Sequence, residues 1–231
     1  MITNPFFKKI FTLLLTCLIA FNLGFFSKKK TVDVNDLNVI EELAYWMDST
    51  KPFSGISIEK DEQGNILSEA EFKNGYLHGI AKSYYPNGKI KAISHYEKGI
   101  ESGLSQGFNE EGIKIYETQF EGGKIKGTLT QWDDQGNKKR EAKYKNGKLN
   151  WEIYYKDEVP HGLETMYNEN QKPIYQAVYE NGKQIKEVAI DPATIAKDIG
   201  FKAEEEFGIN KSTLFPDRIP LLKELPHHKE P

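Results

Sequence analysis

Between Gly75 and Asn146 the chain writes one template three times, and this repetition constrains the fold more than any other feature. The units read GYLHGIAKSYYPNGKIKAISHYEK, GIESGLSQGFNEEGIKIYETQFEG and GKIKGTLTQWDDQGNKKREAKYKN. Gly75, Gly99 and Gly123 lead them, and Gly147 opens the next segment. Gly79, Gly103 and Gly127 come four residues after the leaders, and Gly88, Gly112 and Gly136 come thirteen after them. Every step between equivalents is 24 residues. Self-similarity at a fixed period means units stacked side by side, each burying its apolar surface on its neighbours.

Each unit reads as two strands and two tight turns. Asn74-Gly75, Asn87-Gly88, Asn146-Gly147 and Asn181-Gly182 are hairpin signals, because Asn and Gly tolerate positive φ best. The period reaches back through Gly55, Gly64 and Phe72, which makes Lys51–Asn74 a first unit. After Gly147 the phase jumps: Trp151 stands where the second glycine belongs, and the segment ends at Asp157. A fifth unit then runs Glu158–Asn181, with Gly162 and Tyr179 in register, Gln171 in a turn-glycine place, and Gly182 after it. An incomplete unit that has lost its turn-containing thirteen residues accounts for the jump, with a local bulge or kink expected there. The expected fold is an all-β repeat over residues 51–190, an elongated antiparallel meander flanked by short N- and C-terminal helices. Roughly eleven strands at ~4.8 Å each give a length of about 50 Å.

Aromatic residues recur with the glycines. Phe72, Tyr96, Phe120, Tyr144 and Tyr179 share one position, and Tyr84, Phe108, Trp132 and Tyr167 share a second. Stacked units place such equivalents in ladders, where each ring buries on the order of 150–250 Å². The second glycine of each unit is expected where a ring or another backbone approaches too closely for a Cβ. Tyr85, Tyr116, Trp151, Tyr154, Tyr155 and Tyr175 fall off the ladders and are the candidate exposed contact residues.

Phe72-Lys-Asn-Gly75-Tyr-Leu-His-Gly79, Tyr85-Pro-Asn-Gly88-Lys-Ile and Tyr155-Lys-Asp-Glu-Val-Pro-His-Gly162 resemble the bacterial variant of the MORN repeat, the type found in YwqK-like antitoxins. The resemblance covers roughly Lys51–Lys183. It implies a β-meander that binds something and has no catalytic residues. Glu158 and Trp151 depart from the pattern where glycine is usual.

Charge narrows the partners. Lys plus Arg total 31 and Asp plus Glu 34, a net of -3, and the signs interleave along the array. Nucleic acid needs a clustered positive surface, so it is not an expected partner. Anionic lipid prefers clustered Lys and Arg for the same reason. Cys17 is the one cysteine, which leaves no disulfide framework and no cysteine-ligated zinc. His78 and His161 share a structural place, whereas His95, His227 and His228 are scattered. No phosphate loop, nucleophile elbow or zincin spacing occurs, so no metal, cofactor or catalytic constellation is expected.

The ends differ from the array. Lys8 and Lys9 precede an apolar run, Ile10 to Phe26, and Lys28, Lys29 and Lys30 come after it. As a helix that run spans ~25 Å, and residues 1–30 read either as a cleaved export signal or as a retained membrane anchor. Within 31–50, Asn35 can cap a helix from Asp36 to about Asp48, with Leu37, Ile40, Leu43, Ala44 and Met47 on one face. Such a helix would cover the first edge of the array. Asp191-Pro192 starts a C-terminal helix, and beyond Thr213 the prolines forbid regular structure, leaving either a docked tail or a free peptide ligand. The whole reads as an exported or membrane-anchored, non-enzymatic β-repeat protein that binds another protein, as an envelope scaffold or as an antitoxin that occludes a toxin, with a membrane-lipid-associated repeat protein as the third reading.

Overall fold

The computed structural model describes residues 29–188. The leader expected over residues 1–28 and the C-terminal helix and tail expected over 191–231 lie outside the described residues. Three short strands precede the array: β1 (Thr31–Asp33), β2 (Leu37–Ile40) and β3 (Leu43–Trp46). Unit one is β4 (Gly55–Lys60) and β5 (Ile66–Lys73), and unit two is β6 (Tyr76–Tyr84) and β7 (Ile90–Glu97). Unit three holds β8 (Ile100–Glu101), β9 (Gly103–Phe108) and β10 (Lys114–Glu121). Unit four is β11 (Lys124–Trp132) and β12 (Lys138–Lys145), and the half unit is β13 (Lys148–Lys156). Unit five is β14 (Val159–Tyr167) and β15 (Pro173–Glu180), followed by β16 (Lys183–Val188). From β4 onward the strands pair in chain order in one meandering sheet, with β7 pairing both the short β8 and β9, and this is the all-β repeat that the period predicts. Among the described residues the one parallel pair is β1 with β4, at the N-terminal end.

Two turn types alternate because the residues at each demand different backbones. The leading turns have positive φ at both central residues, as at Asn74 (52°) and Gly75 (83°), the geometry that matches strand twist. The other turns span five residues. In Asp61–Asn65, Tyr85–Lys89, Asn109–Ile113 and Asp133–Asn137 the first residue's carbonyl accepts from a glycine three residues on. Asn87 therefore keeps an ordinary φ, and only Gly88 of that pair adopts the positive value.

The segment over residues 37–46 is a hairpin, and the helix expected there does not form. Glu41 and Glu42 take positive φ (49° and 66°) and turn the chain back on itself. The apolar spacing that suits a helix face also suits two short strands. In the hairpin Leu37 and Ala44 are buried while Ile40 and Met47, which the helix would have covered, are exposed. The sheet supplies the deciding bonds: the Ala44 N–H donates to the Gly75 carbonyl (2.8 Å) and the Phe53 N–H to the Ala44 carbonyl (2.8 Å). Asp33 accepts from the Asn35 N–H at 2.9 Å and caps a 3-10 turn over Val34–Asp36, so Asn35 lies inside a short turn and caps no helix. The edge-covering role survives in another form. Phe53 is fully buried, with the Trp46 ring edge-on at 5.0 Å and Phe72 at 5.7 Å.

Register divides the sheet into two faces. The front carries Phe72, Ala70 and Ser68, and the pairings Ser57–Ala70, Ala70–Ala81 and Ala81–Ser94 run a column of small buried residues down its middle. The column continues through the Ser94–Ser105 hydroxyl contact (3.0 Å) and the Ser105–Thr118 pair. Small residues buried this completely in a single layer have neighbouring rows of the same face leaning over them. The first aromatic ladder is one of those rows, and each rung sits opposite a second-position glycine: Gly55–Phe72, Gly79–Tyr96, Gly103–Phe120, Gly127–Tyr144 and Gly162–Tyr179.

Ring crowding is not why those positions are glycine. A Cβ on Gly79 or Gly103 would meet Glu71 or His95 rather than the aromatic rung, and φ there is +104° and +107°, a region closed to most L-residues. The glycine that does make room for a ring is Gly107, whose Cβ would fall 2.0 Å from Tyr116 Cε1. Gly107→Ala is therefore expected to destabilise the fold by about 1–3 kcal/mol through overpacking. In urea unfolding, Tyr116→Leu should cost less in the Gly107→Ala background than in the wild type, whereas Gly64→Ala, with open space around its Cβ, should show no coupling to Tyr116.

Candidate binding surface

The half unit changes which face carries the ladder. Tyr144 is on the front with Ala142 and Arg140, which pair with Leu149, Glu152 and Tyr154 of β13. Through Ile153–Glu164 and Glu164–Ala177, however, the alternation places Ala177, Tyr175 and Tyr179 on the back. Omitting one strand from a meander rotates everything after it by half a turn about the stacking axis, which exchanges both faces and both edges. β13 serves both sides of this exchange. Its Glu152 and Tyr154 pack on the front and its Trp151, Ile153 and Tyr155 on the back, so Glu152, Ile153 and Tyr154 are buried in succession. The bulge expected here is present, as register shifts between Lys143 and Tyr144 and between Ile153 and Tyr155, and the junction adds an inversion to it. Register shifts occur in most strand pairs and do not mark this one out.

A buried polar network occupies the front of the junction. Arg140 donates from Nε to Glu152 Oε2 (2.8 Å) and approaches it with Nη2 (2.6 Å), while Nη1 donates to Gln131 Oε1 (2.9 Å). Tyr167 donates to Glu152 Oε1 at 2.5 Å. Arg140 is 4 % exposed and Glu152 9 %, so both carboxylate oxygens and most guanidinium donors are satisfied away from water. Burial is the largest single influence on Arg140 and would lower its pKa; the charge and hydrogen bond of Glu152, with Tyr154 and Tyr144, together outweigh it and the net direction is upward. Burial and then Glu152 push the Tyr154 phenol up to about 12, and the same causes raise Tyr167 further.

On the back, ion pairs cover a ring of the second ladder and a ring of the half unit. Lys114 Nζ sits 4.7 Å over the Trp132 ring and bonds Glu117 at 2.7 Å, and Lys138 sits 4.9 Å over Tyr155 and reaches Glu141 at 3.2 Å. Tyr84 is pushed up to about 12 by burial and by its hydrogen bond with Glu69. One unit further, Trp151 donates from Nε1 to Glu164 (2.7 Å) under Lys143 Nζ at 4.7 Å.

The six candidate contact residues therefore divide. Tyr116 and Tyr154 are buried, against the expectation: Tyr116 fills the space left by Gly107, and Tyr154 closes the junction. Tyr85 is half-buried, its hydroxyl donating to the Phe108 carbonyl of the next unit (2.8 Å), which makes it a stacking bond. Trp151 and Tyr175 lie in one row across the back, joined by the pairs Trp151–Met166 and Met166–Tyr175, and Tyr155 stands nearby on the same face.

Sequence reading missed a further group. Tyr76, Ile80 and Ile100 are 41 %, 37 % and 52 % exposed on the back face, opposite the side where the β2–β3 hairpin packs. Tyr76 lies 3.9 Å from where a Cβ of Gly99 would be, and Ile100 3.5 Å from that of Gly123. The residue after each leading glycine thus covers the next leading turn. The signal was available, since Tyr76 and Ile100 are 24 residues apart. The inversion also sets unlike turns beside each other at both edges, leaving a concavity of about 400 Å³ bordered by Leu149, Tyr167 and Gln171 and one of about 300 Å³ bordered by Asp133, Tyr155 and Asp157. Among the described residues, no group of three or more acidic, histidine or cysteine side chains could hold a metal ion.

Residues 54–74 and 77–98, within units one and two, match the MORN repeat variant. Repeats of this class are linked to binding or scaffolding and are typically non-catalytic. No curated protein matches the chain. Solved structures with some likeness include a GtfA/B complex (11% identity, TM-score 0.26, 58% of this chain and 24% of that chain). Others are the pneumococcal O-GlcNAc transferase GtfA in complex with UDP and GlcNAc (16%, 0.24, 61% and 23%) and the Gap123 glycosylation associate protein complex from Streptococcus agalactiae (18%, 0.24, 55% and 21%). The chain spans about a quarter of the length of these proteins, and at such scores the likeness has no bearing on activity.

The junction makes its own prediction. Glu152→Gln leaves a buried guanidinium without its counter-charge and is expected to lose about 3–5 kcal/mol, whereas the paired replacement Arg140→Met with Glu152→Leu should be far milder. Because the folded Tyr154 pKa lies above the unfolded value, its contribution is intact below pH ~10 and lost as pH rises toward ~12. Phenolate absorbance and unfolding free energy followed together through that window check the sign.

Proposed function

We propose that this chain is a non-enzymatic β-repeat module of the cell envelope that binds a protein partner through the back edge of units two and three. The observation that carries the reading is the exposure of Tyr76, Ile80 and Ile100 together on one face, in adjacent units. Large apolar side chains clustered in solvent mark interaction sites more often than isolated ones do. The interleaved charges favour a protein over an anionic lipid surface. The basic and apolar pattern of residues 8–30 supports placement at the envelope. An antitoxin is the special case in which the bound partner is itself a toxin.

The test is an affinity capture of the full-length protein cross-linked in its own cells, run beside the Tyr76→Asp, Ile100→Asp double variant. The expected result is one stoichiometric partner in the envelope fraction, lost from the variant while its thermal midpoint stays close to the wild type. Equal capture by both proteins would remove this edge from the interface. Recovery from the cytosol would overturn the envelope placement. The activity of the isolated partner then separates scaffold from antitoxin.

A further inference from the structure

Asparagine precedes glycine four times in the chain, at Asn74-Gly75, Asn87-Gly88, Asn146-Gly147 and Asn181-Gly182. An asparagine in this pair loses its side-chain amide readily, because glycine has no Cβ to keep its backbone nitrogen from the neighbouring Cγ. The fold holds three of the four nitrogens. The Gly75 N–H donates to the Phe53 carbonyl (2.7 Å), the Gly88 N–H to the Tyr85 carbonyl (2.8 Å) and the Gly182 N–H to the Pro160 carbonyl (2.9 Å). Gly99 and Gly123, which lead their units without an asparagine, donate in the same way to Leu77 and Glu101. Apart from Gly88, each of these glycines leads a unit and ties its turn to the second residue after the leading place of the unit before.

Gly147 is the exception. Its counterpart acceptor is the Ile125 carbonyl, yet among the described residues the Gly147 N–H has no hydrogen-bond partner. Asn146 is exposed, and its side chain makes no hydrogen bond among them either. The Asn87 side chain, by contrast, donates to the Glu110 carbonyl (3.1 Å) and accepts from the Lys89 N–H (2.9 Å). The edge before Asn146 is open as well: a Cβ on Gly127 would meet nothing within 4 Å, where one on Gly79 or Gly103 would meet Glu71 or His95.

We propose that Asn146 is a self-modification site, deamidated by the Gly147 nitrogen while hydrogen bonds protect the other three Asn-Gly pairs. Asn146 has a φ of 53° in the turn, and the attack needs a different backbone, so the turn must open briefly. Opening costs least where no bond ties the turn to its neighbour. A solvent base takes the Gly147 amide proton, and the nitrogen forms a bond to Asn146 Cγ. The Cγ–Nδ2 bond breaks and ammonia leaves, taking its proton from water. Water then opens the succinimide at either carbonyl to give aspartate or isoaspartate, with no change of oxidation state. The product carries a carboxylate between Lys145 and Lys148, at the rim of the concavity bordered by Leu149 and Tyr167. Its isoaspartyl form also lengthens the backbone of the turn that sets the Lys145–Lys148 pairing.

The test follows the full-length protein through incubation in mildly alkaline buffer, with peptide mapping of the four sites, beside the same chain held unfolded in urea. The expected result is that Asn146 of the folded protein converts severalfold faster than Asn74, Asn87 and Asn181, and that this lead disappears in urea. Equal rates in the folded protein, or a lead by another site, would overturn the proposal. So would a lead of the same size in urea, since that belongs to local sequence and not to the fold. Amide hydrogen exchange supplies a second reading: Gly147 should exchange faster than Gly75 and Gly182, and equal protection of the three counts against the proposal. Tyr76, Ile80 and Ile100 take no part, so each outcome leaves the partner-binding reading where it stands.

Discussion

The structure depends on one constraint: a single-layer sheet has no second layer to bury against, so its side chains must cover one another. The front face meets it with a column of alanines and serines flanked by taller rows, which close over residues such as Ala70, Ala81 and Ala142 that are wholly buried. The back face meets it differently, with lysine ammonium groups lying over aromatic rings and held by glutamates. Such contacts are modest individually at partly exposed sites. Repeated across successive units, they cover rings that would otherwise be an exposed stripe.

The junction brings both solutions into one strand. β13 must offer apolar or fully paired side chains to each face at once, and its sequence, Trp151-Glu-Ile-Tyr-Tyr155, has abandoned the alternation seen elsewhere. Its one charged member is the residue that needs the most support, and it receives it from Arg140 and Tyr167. The network thus belongs to the place where two orientations of the same repeat meet. Its members come from β11, β12, β13 and β14, so it joins the blocks on either side.

Much of this architecture was legible in the sequence because glycine and aromatic positions repeat for backbone and packing reasons that are local. The turn chemistry, the unit boundaries and the ladder register all follow from residues such as Asn74, Gly75 and Tyr96. The hairpin at residues 37–46 was not legible, because Leu37, Ile40, Leu43 and Ala44 fit both a helix face and two short strands. The choice was made by the Gly75 carbonyl, a partner distant in sequence. The candidate site was legible in part. Departure from a ladder was read as exposure; Tyr85, Trp151, Tyr155 and Tyr175 are half-buried instead, and Tyr116 is buried, since Gly107, outside the repeat register, had made room for it. The lost half unit was counted correctly. Its effect on sidedness needed the pairing register, which a linear pattern does not state.

That sidedness gives the array a parity. Gain or loss of whole 24-residue units lengthens or shortens such a sheet while preserving which way every later unit looks. An odd number of strands reverses them all. A single half-unit event therefore converts a one-sided ruler into a two-sided one, with equivalent sequence facing opposite directions before and after Asp157. Gain or loss of one strand toggles this state without altering any later unit, so the orientation of a surface can change while the residues composing it stay the same.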